Sequence, residues 1–299
     1  MFSVEPISSF DRPELQPYAT LRRSAAHEEQ GIFVAESEKV VRRLLESELT
    51  IVSAVLSERW LEEFRPLLEA RRENIIVYLA ETDLLEKLVG FHMFQGILAV
   101  AKIPPPIPLD ELLARLSSPK LLVAVDEVAN AENLGALVRN CVAFNAQALL
   151  VGETSSSPYL RRAVRNSMGT IFQLPVVEIG GTKTSSGHKS YFKNAKSGLD
   201  GVSPHQNSTL VQTLRDLRAR GIRGIAAHPH TDKKTLSQTD FTGDCCIVFG
   251  SEGNGISRAV LESCDEVVAI PMPPAVDSLN VGAAAAVFLY EVARQRGKG

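Results

Sequence analysis

The spacing of apolar positions along the first hundred residues predicts a small α/β unit. Val40, Val41, Leu44 and Leu45 recur at helical intervals and predict a helix over residues 38–46. Short β-rich runs predict the strands, and a charged amphipathic stretch predicts a second helix. The predicted strands cover residues 33–35, 51–56, 74–79 and 96–103, and the second helix covers residues 60–71.

A different pattern begins at residues 121–125, where the apolar run is continuous, as in a buried parallel strand. From there predicted strands and helices alternate, which is typical of a parallel sheet covered on both faces. Such sheets bind ligands beyond the carboxyl ends of their strands. The further predicted strands cover 148–151, 172–177, 222–227, 245–249 and 267–270; the helices cover 134–144, 159–168, 209–220 and 257–264, with a last one from about Leu279.

Two stretches interrupt these patterns. Pro104, Pro105 and Pro106, with Pro108 after them, cannot continue a strand or helix, so they mark a boundary. The predicted organisation is therefore a domain over 1–103, a linker over 104–119 and a second domain over 120–299. Within the latter, the Gly-, Ser- and Lys-rich segment 180–207 has no periodicity, and a loop of that length is usually functional or disordered.

The composition and charge restrict the class of protein but do not indicate a function. The 299 residues are 44% apolar and 22% charged, as in ordinary soluble globular proteins. Residues 1–105 hold 12 Lys and Arg against 17 Asp and Glu, and the remainder holds 20 against 18. With a net charge of −3, any nucleic-acid contact must come from a local patch. The longest apolar run, residues 281–290, is too short to span a bilayer, and no signal core is seen.

The cysteines and histidines indicate no metal site. Cys141, Cys245, Cys246 and Cys264 form no CxxC pair, which favours reduced, buried thiols in a cytosolic protein. His228 and His230 follow a predicted strand, but with no third ligand they are interpreted as surface or loop histidines.

Three segments at strand ends carry the candidate chemistry. In the first, Asn133 can cap the helix that follows, and Arg139 shares a helix face with Ala136 and Ala143. Those small neighbours leave room for a substrate to approach the guanidinium. The alternative is an ordinary surface arginine on an amphipathic helix.

The second segment, 249–255, has three glycines in six residues after a strand, which allows close backbone approach to a ligand. It fits neither the dinucleotide fingerprint nor the phosphate loop, so a plain turn stays open. The third, 270–281, is a Pro-rich loop ending on Ser278-Leu279-Asn280 at the start of a helix coated with small residues. Something must pack closely there, although Ser278 as an ordinary helix cap is the alternative.

Together the three segments resemble the motifs of the SpoU (TrmH-like) branch of the SPOUT methyltransferase superfamily, in the right order and over nearly all of 120–299. Residues 1–103 also resemble the RNA-binding domain, similar to a small ribosomal protein, that often precedes it; residues 33–35 and Gln95-Gly96 carry that likeness.

The resemblance implies a parallel-sheet fold with a C-terminal trefoil knot, in a cytoplasmic homodimer. It implies S-adenosylmethionine as the cofactor and a ribose 2′-hydroxyl of structured ribosomal or transfer RNA as the methyl acceptor. By position, Arg139 matches the catalytic arginine, with Asn133, Glu252, Ser278 and Asn280 around it. The residues matched to cofactor binding are Gly250, Gly255, Ile270, Met272 and Leu279.

The chemistry suits these residue types. Because a sulfonium methyl is already electrophilic, the protein must mainly align and activate a hydroxyl. Arginine stays charged up to a pH of about 12, so the least demanding role for Arg139 is to grip a substrate phosphate and orient the hydroxyl. Glu252 would then fix the guanidinium through a charge-assisted bond.

Two departures and one insertion qualify the resemblance. The family usually has Gly where this chain has Pro274, and it often has Ser where this chain has Gly282. Because proline fixes φ and lacks an N–H, the affinity for the cofactor can differ from that of the family. The segment 180–207 is an insertion whose basic and aromatic residues suit RNA, as a clamp or else as a solvated disordered loop. The candidate RNA contacts are Lys183, Lys189, Tyr191, Phe192, Lys193 and Lys196.

Other functions also remain as alternatives. A non-catalytic RNA-binding or assembly factor could use the same fold. A dehydrogenase-like nucleotide-binding enzyme is disfavoured, because no suitable glycine fingerprint follows the first strand of the second domain.

Overall fold

A computed structural model describes residues 2–89, 96–180, 209–229 and 234–297. The strands and helices of the first hundred residues follow in chain order: β1 (Phe2–Ile7), α1 (Gln16–Ala19), α2 (Ser24–Glu29), β2 (Ile32–Glu36), α3 (Glu38–Leu45), β3 (Ile51–Leu56), α4 (Glu58–Glu69), β4 (Ile75–Ala80), α5 (Thr82–Val89) and β5 (Ile97–Lys102).

The remaining elements begin inside the Pro-rich stretch. They are α6 (Leu109–Arg115), β6 (Leu121–Val125), α7 (Ala131–Ala143), β7 (Ala148–Val151), α8 (Arg161–Asn166), β8 (Val176–Glu178), α9 (Thr209–Ala219), β9 (Arg223–Ala227), β10 (Cys245–Phe249), α10 (Arg258–Ser263), β11 (Glu266–Val268) and α11 (Val281–Gln295).

The chain divides into two compact units that do not follow the chain order strictly. The first contains Met1–Pro105, Leu134–Arg139 and Ser157–Gln173. The second contains Pro106–Asn133, Asn140–Ser156 and Leu174–Gly299.

In the first unit the sheet has the order β1-β4-β3-β5-β2, with β5 antiparallel to β2 and β3 and the other pairs parallel. The later segment Ser157–Gln173 packs on β2 and α3. The Phe33 ring lies 5.6 Å from the rings of both Tyr159 and Phe172. Arg43 Nη1 donates to the Met168 carbonyl at 2.5 Å.

The sheet of the second unit confirms the prediction of a parallel sheet. Its order is β11-β9-β10-β6-β7-β8, and every strand pair in it is parallel. The chain passes outward from β6 through β7 to β8, and the later strands lie on the other side of β6. Strand order therefore reverses between β6 and β10, and ligands of open α/β sheets bind outside the carboxyl ends at such a point.

Some predicted elements differ from those observed. The predicted linker 104–119 contains helix α6, whose Leu112 and Leu113 are buried in the core of the second unit. The predicted strand 172–177 is wrong in its first part. Thr170–Gln173 is a 3₁₀ helix, and β8 begins only after Pro175, which has no N–H to give to a ladder. Strand β1 and the helices α1, α2 and α5 were not predicted; no residue of β1 is fully buried.

Candidate active site

One polar residue from each candidate segment lies at the same edge of the second unit's sheet. Asn133 lies in the first turn of α7, the helix after β6; Glu252 follows β10, and Asn280 precedes α11. Because β6 and β10 are neighbours, their carboxyl ends open onto the point where strand order reverses.

Helix α7 is capped by Asn130, so the predicted cap at Asn133 is wrong. The Asn130 Oδ1 accepts from the N–H groups of Glu132 at 2.8 Å and Asn133 at 3.2 Å. The helix accordingly begins at Ala131, earlier than expected. An asparagine cap satisfies backbone donors that would otherwise lack partners, and here it leaves the side chain of Asn133 available for another contact.

Asn133, Glu252 and Asn280 form a hydrogen-bonded cluster, which we call the amide–carboxylate cluster. Asn133 Nδ2 donates to Glu252 Oε1, and Asn280 Nδ2 donates to Glu252 Oε1 and to Asn133 Oδ1, both at 3.1 Å. Asn133 lies 119 positions before Glu252 and 147 before Asn280, and Glu252 lies 28 positions before Asn280. Two neutral amides thus orient a solvent-exposed carboxylate without removing its charge.

The turn that carries Glu252 is built by close backbone packing. Ser251 and Gly255 exchange two backbone hydrogen bonds at 2.9 Å, and Ser251 Oγ accepts from the Asn254 N–H at 3.1 Å. A Cβ on Gly250 would overlap the backbone of Gly255 and Ile256. Gly250 is therefore required by the turn itself, whatever it contributes to a ligand.

Asp126 is a polar residue of this edge that the sequence analysis missed. It follows β6, is 5% exposed, and its Oδ2 accepts from the Ser257 N–H at 2.8 Å. Its own N–H donates to the Phe249 carbonyl at 2.9 Å. Asp126 thereby ties the end of β6 to both ends of the loop that carries Glu252. A buried carboxylate directly after an apolar strand was the available signal.

The loop between β11 and α11 fits a ligand held mainly by backbone groups. The N–H groups of Met272, Ser278 and Leu279 donate to no atom of the described residues. Leu279 is 37% exposed and Val276 is 39% exposed, so apolar surface lies open beside those donors. Ile270 and Met272 are half-buried. Such a mixture of free donors and apolar surface suits an adenosine-type ligand.

Pro274 lies in a turn whose hydrogen bond does not use the N–H that proline lacks. The Val276 N–H donates to the Pro273 carbonyl at 3.0 Å, which places Pro274 at the second position of a turn, where its fixed φ is favourable. Ser278 is exposed and does not cap α11. The cap is Asn280, whose Oδ1 accepts from the Gly282 N–H at 2.9 Å.

Arg139 is exposed on α7 and forms no hydrogen bond or ion pair with any described residue. Its expected bond to Glu252 stays a prediction. One turn earlier, a Cβ on Gly135 would overlap the Ala163 carbonyl and lie 2.7 Å from the Asn166 Cβ. Gly135 thus lets α7 and α8 pack closely, which the sequence analysis did not foresee.

Several sequence-based candidates lie outside the described residues. These are Gln95, His230, residues 181–207 of the predicted insertion 180–207 and its candidate RNA contacts Lys183, Lys189, Tyr191, Phe192, Lys193 and Lys196. Over the described ranges, no cluster of three or more His, Cys, Asp or Glu side chains could hold a metal ion. Cys141, Cys245 and Cys246 are buried, and burial raises their pKa values. No described helix combines the length and apolarity needed to cross a membrane.

Comparison with solved structures defines the class of protein first. An AdoMet-bound rRNA methyltransferase from Sinorhizobium meliloti superposes with a TM-score of 0.75 at 20% identity, over 97% of this chain and 98% of its own. An RNA 2′-O ribose methyltransferase superposes with a TM-score of 0.72 at 25% identity, over 98% and 99%. The fold is thus the α/β fold of RNA methyltransferases with a parallel sheet.

The family follows from the sequence. The SpoU rRNA Methylase family model matches residues 120–186 and 179–290, so this chain belongs to that family. The resemblance predicted from the three segments is confirmed. A relative from Mycobacterium avium, named an uncharacterized tRNA/rRNA methyltransferase, is 35% identical over 216 residues, or 71% of this chain. The chain spans about 60% of the length of that relative.

Proposed function

We propose that this protein transfers a methyl group from S-adenosylmethionine to a ribose 2′-hydroxyl of ribosomal or transfer RNA. The observation that carries the proposal is the amide–carboxylate cluster, because it joins three distant motifs where the sheet's strand order reverses. The names of the relative and of the structural neighbour with 2′-O ribose activity support the same reaction.

S-adenosylmethionine supplies an activated methyl group on a sulfonium. The residues proposed to hold it are Gly250, Gly255, Ile270, Met272 and Leu279. The free backbone donors and the exposed side chain of Leu279 support this assignment. We also propose that the segment from β10 to α11 forms the trefoil knot of the family, in which loops from separate passages of the chain meet around the cofactor.

The roles proposed for the polar residues follow from their charge and position. Asn133 and Asn280 hold the Glu252 carboxylate in one orientation, which lowers the entropy cost of aligning the substrate hydroxyl. Both bonds go to Oε1, and Oε2 accepts none from the described residues, so it can contact the substrate. Arg139 holds a substrate phosphate through its guanidinium group, and Ser278 contacts the substrate.

Three further features belong to this proposal. Residues 1–103 would contribute to RNA recognition, and the reaction would take place in the cytoplasm. A homodimer is supported by the exposed apolar side chains of Val287 and Tyr290 on α11, which are 38% and 52% exposed. The Phe144 ring lies 6.2 Å from the Tyr290 ring and extends that apolar surface.

The test is an assay with labelled S-adenosylmethionine and either deproteinised ribosomal RNA or total transfer RNA. Nucleosides from the digested RNA are then analysed by mass spectrometry for 2′-O-methyl ribose. The unaltered protein should produce it, Arg139→Ala should reduce the rate roughly 100-fold, and Arg258→Ala should not change it. Arg258 is a suitable control because its side chain is 91% exposed. Methylation of a base instead of a ribose would contradict the proposal.

The alternative of a non-catalytic RNA-binding factor gives a different result. Such a protein would bind RNA but give no heat with S-adenosylmethionine in a calorimeter. Because the turn at Pro274 uses the Val276 N–H as its donor, a proline fits the loop's own hydrogen bonding, and the calorimetric titration decides whether cofactor binding is damaged.

A further inference from the structure

The arginines of the first unit are unevenly distributed along the chain. Residues 1–105 hold 17 acidic residues against 12 basic ones. The two later segments that pack into this unit, 134–139 and 157–173, bring four arginines and no acidic residue. The unit therefore gains four positive charges from parts of the chain that lie far from its own sheet in sequence.

Helix α8 is fixed to the first unit by a buried carboxylate. Glu36, at the end of β2, is 5% exposed and pairs with Arg161 and Arg165. Arg161 Nε also donates to the Leu21 carbonyl at 3.2 Å, which brings the chain at residues 22 and 23 next to α8. Burial of Arg161, whose side chain is 15% exposed, makes it a structural residue of this cluster.

One Glu36 carboxylate faces two guanidinium groups, so it does not neutralise both of them. Arg165 keeps 61% of its side chain exposed while one Nη donates to Glu36 at 3.2 Å, and Arg22, Arg23 and Arg162 are exposed. Burial, and then the charge of Arg161, lower the pKa of the nearby His27, as expected in a region of positive potential.

Helix α7 packs closely on α8 one helical turn before Arg139. Gly135 lies against Ala163 and Asn166, and Arg139 follows Gly135 by one helical turn on the same face. We call Arg22, Arg23, Arg139, Arg162 and Arg165 the arginine face.

We propose that the arginine face binds the phosphate backbone of the substrate RNA and leads that strand to Arg139. The inference rests on the proposed function and adds the surface that recognises the substrate. Guanidinium groups suit this task because they bind phosphate through two parallel hydrogen bonds and stay charged at all physiological pH values. Backbone contacts of this kind fix the position of a nucleic acid without reading its sequence.

The decisive variants replace two exposed arginines of α8. Arg162→Gln with Arg165→Gln leaves the buried pair of Glu36 with Arg161 in place, so the fold should persist. Arg72→Gln is the matched control. Arg72 is exposed in the same unit and precedes β4, whereas Glu36 ends β2. The strand registers place those two positions at opposite ends of the sheet.

Binding of labelled ribosomal RNA and transfer RNA pools is measured for each protein from 50 to 300 mM salt, with thermal melting as a check of folding. Each lost phosphate contact should weaken binding roughly tenfold at low salt and reduce the slope of log affinity against log salt by about one. Arg72→Gln should change neither. Arg165→Lys, which keeps the charge, should restore most of the slope.

The outcomes separate the two proposals. Equal affinity and slope for the double variant and the unaltered protein overturn the arginine face and leave the methyl-transfer proposal standing. A uniform loss in the Arg72→Gln control also overturns it, because net charge alone would then explain the effect. Failure of the unaltered protein to bind or methylate either RNA pool overturns both proposals.

Discussion

Two carboxylates at the ends of strands illustrate different uses of the same group. Glu36 in the first unit is buried and pairs with two guanidinium groups, so its charge is compensated and its role is to hold α8 in place. Glu252 in the second unit is exposed and held by two neutral amides. Compensation stabilises structure, whereas orientation without compensation keeps a charge available for chemistry.

Removing Glu36 should produce the largest loss of stability. Glu36→Ala leaves Arg161 largely buried without its partner, and a broken buried pair costs about 3 kcal/mol. Urea unfolding measures this loss. The control is Glu63→Ala. The Glu63 side chain, which pairs with Arg42, is 40% exposed, so loss of this ion pair should cost less than about 1 kcal/mol. Equal losses of unfolding free energy in the two variants would contradict a special stabilising role for the buried Glu36 carboxylate.

Glu252→Gln should give the opposite pattern, with a large loss of activity and little loss of stability. The amide keeps the size of the side chain but cannot supply a negative charge, and misplacement of the reacting groups costs roughly 100-fold in rate. Melting temperature and kcat/KM are both measured. Glu262→Gln, an exposed carboxylate paired with Arg258, serves as the control. A stable variant with full activity would remove Glu252 from the proposed mechanism.

The contrast also explains what the sequence could reveal. The parallel sheet and the three motif segments were predictable, because continuous apolar runs and clustered glycines are local signals. Asn130 rather than Asn133 caps α7, and sequence alone could not choose between two asparagines three residues apart. The pairing of Glu36 with Arg161 joins residues 125 positions apart. Such long-range contacts depend on how segments pack, which no local pattern records.

Glu73, a second carboxylate paired with a guanidinium group, allows a test through the pH dependence of stability. Burial alone would raise the pKa of Glu73, but bonds from Arg71 and the Ile51 N–H outweigh it and lower the pKa to about 2. A lowered pKa in the folded state means that the stabilisation is complete above the unfolded value of 4.5 and is lost as pH falls towards 2. At neutral pH Glu73→Gln should cost about 2 kcal/mol. The difference from the unaltered protein should shrink below pH 4.5, and a constant difference would contradict this reading.

Asp126 allows a test of whether the loop that carries Glu252 must be held in place for S-adenosylmethionine to bind. Asp126→Asn weakens the bond to the Ser257 N–H and should loosen the loop that carries Glu252, raising the Kd for S-adenosylmethionine roughly tenfold by calorimetry. Asp244→Asn is matched, because Asp244 accepts from the Lys120 N–H at 2.7 Å at the opposite end of β6. Both variants should lose some stability, but only Asp126→Asn should lose affinity. Equal affinity losses would show that the effect is merely structural.

The smallest expected effect concerns the backbone that places Glu36. Ser37 has φ 87° and ψ 154°, a conformation that is nearly confined to glycine and costs about 1 to 3 kcal/mol for other residues. Ser37→Gly should therefore stabilise the protein by about 1 kcal/mol, after the greater entropy of glycine in the unfolded chain is counted. Ser57 is the control: it also precedes a helix without a side-chain cap bond, but its φ is −79°. Ser57→Gly should give no gain, since it relieves no strain. If both variants respond alike, backbone strain is not what distinguishes the position next to the compensated carboxylate.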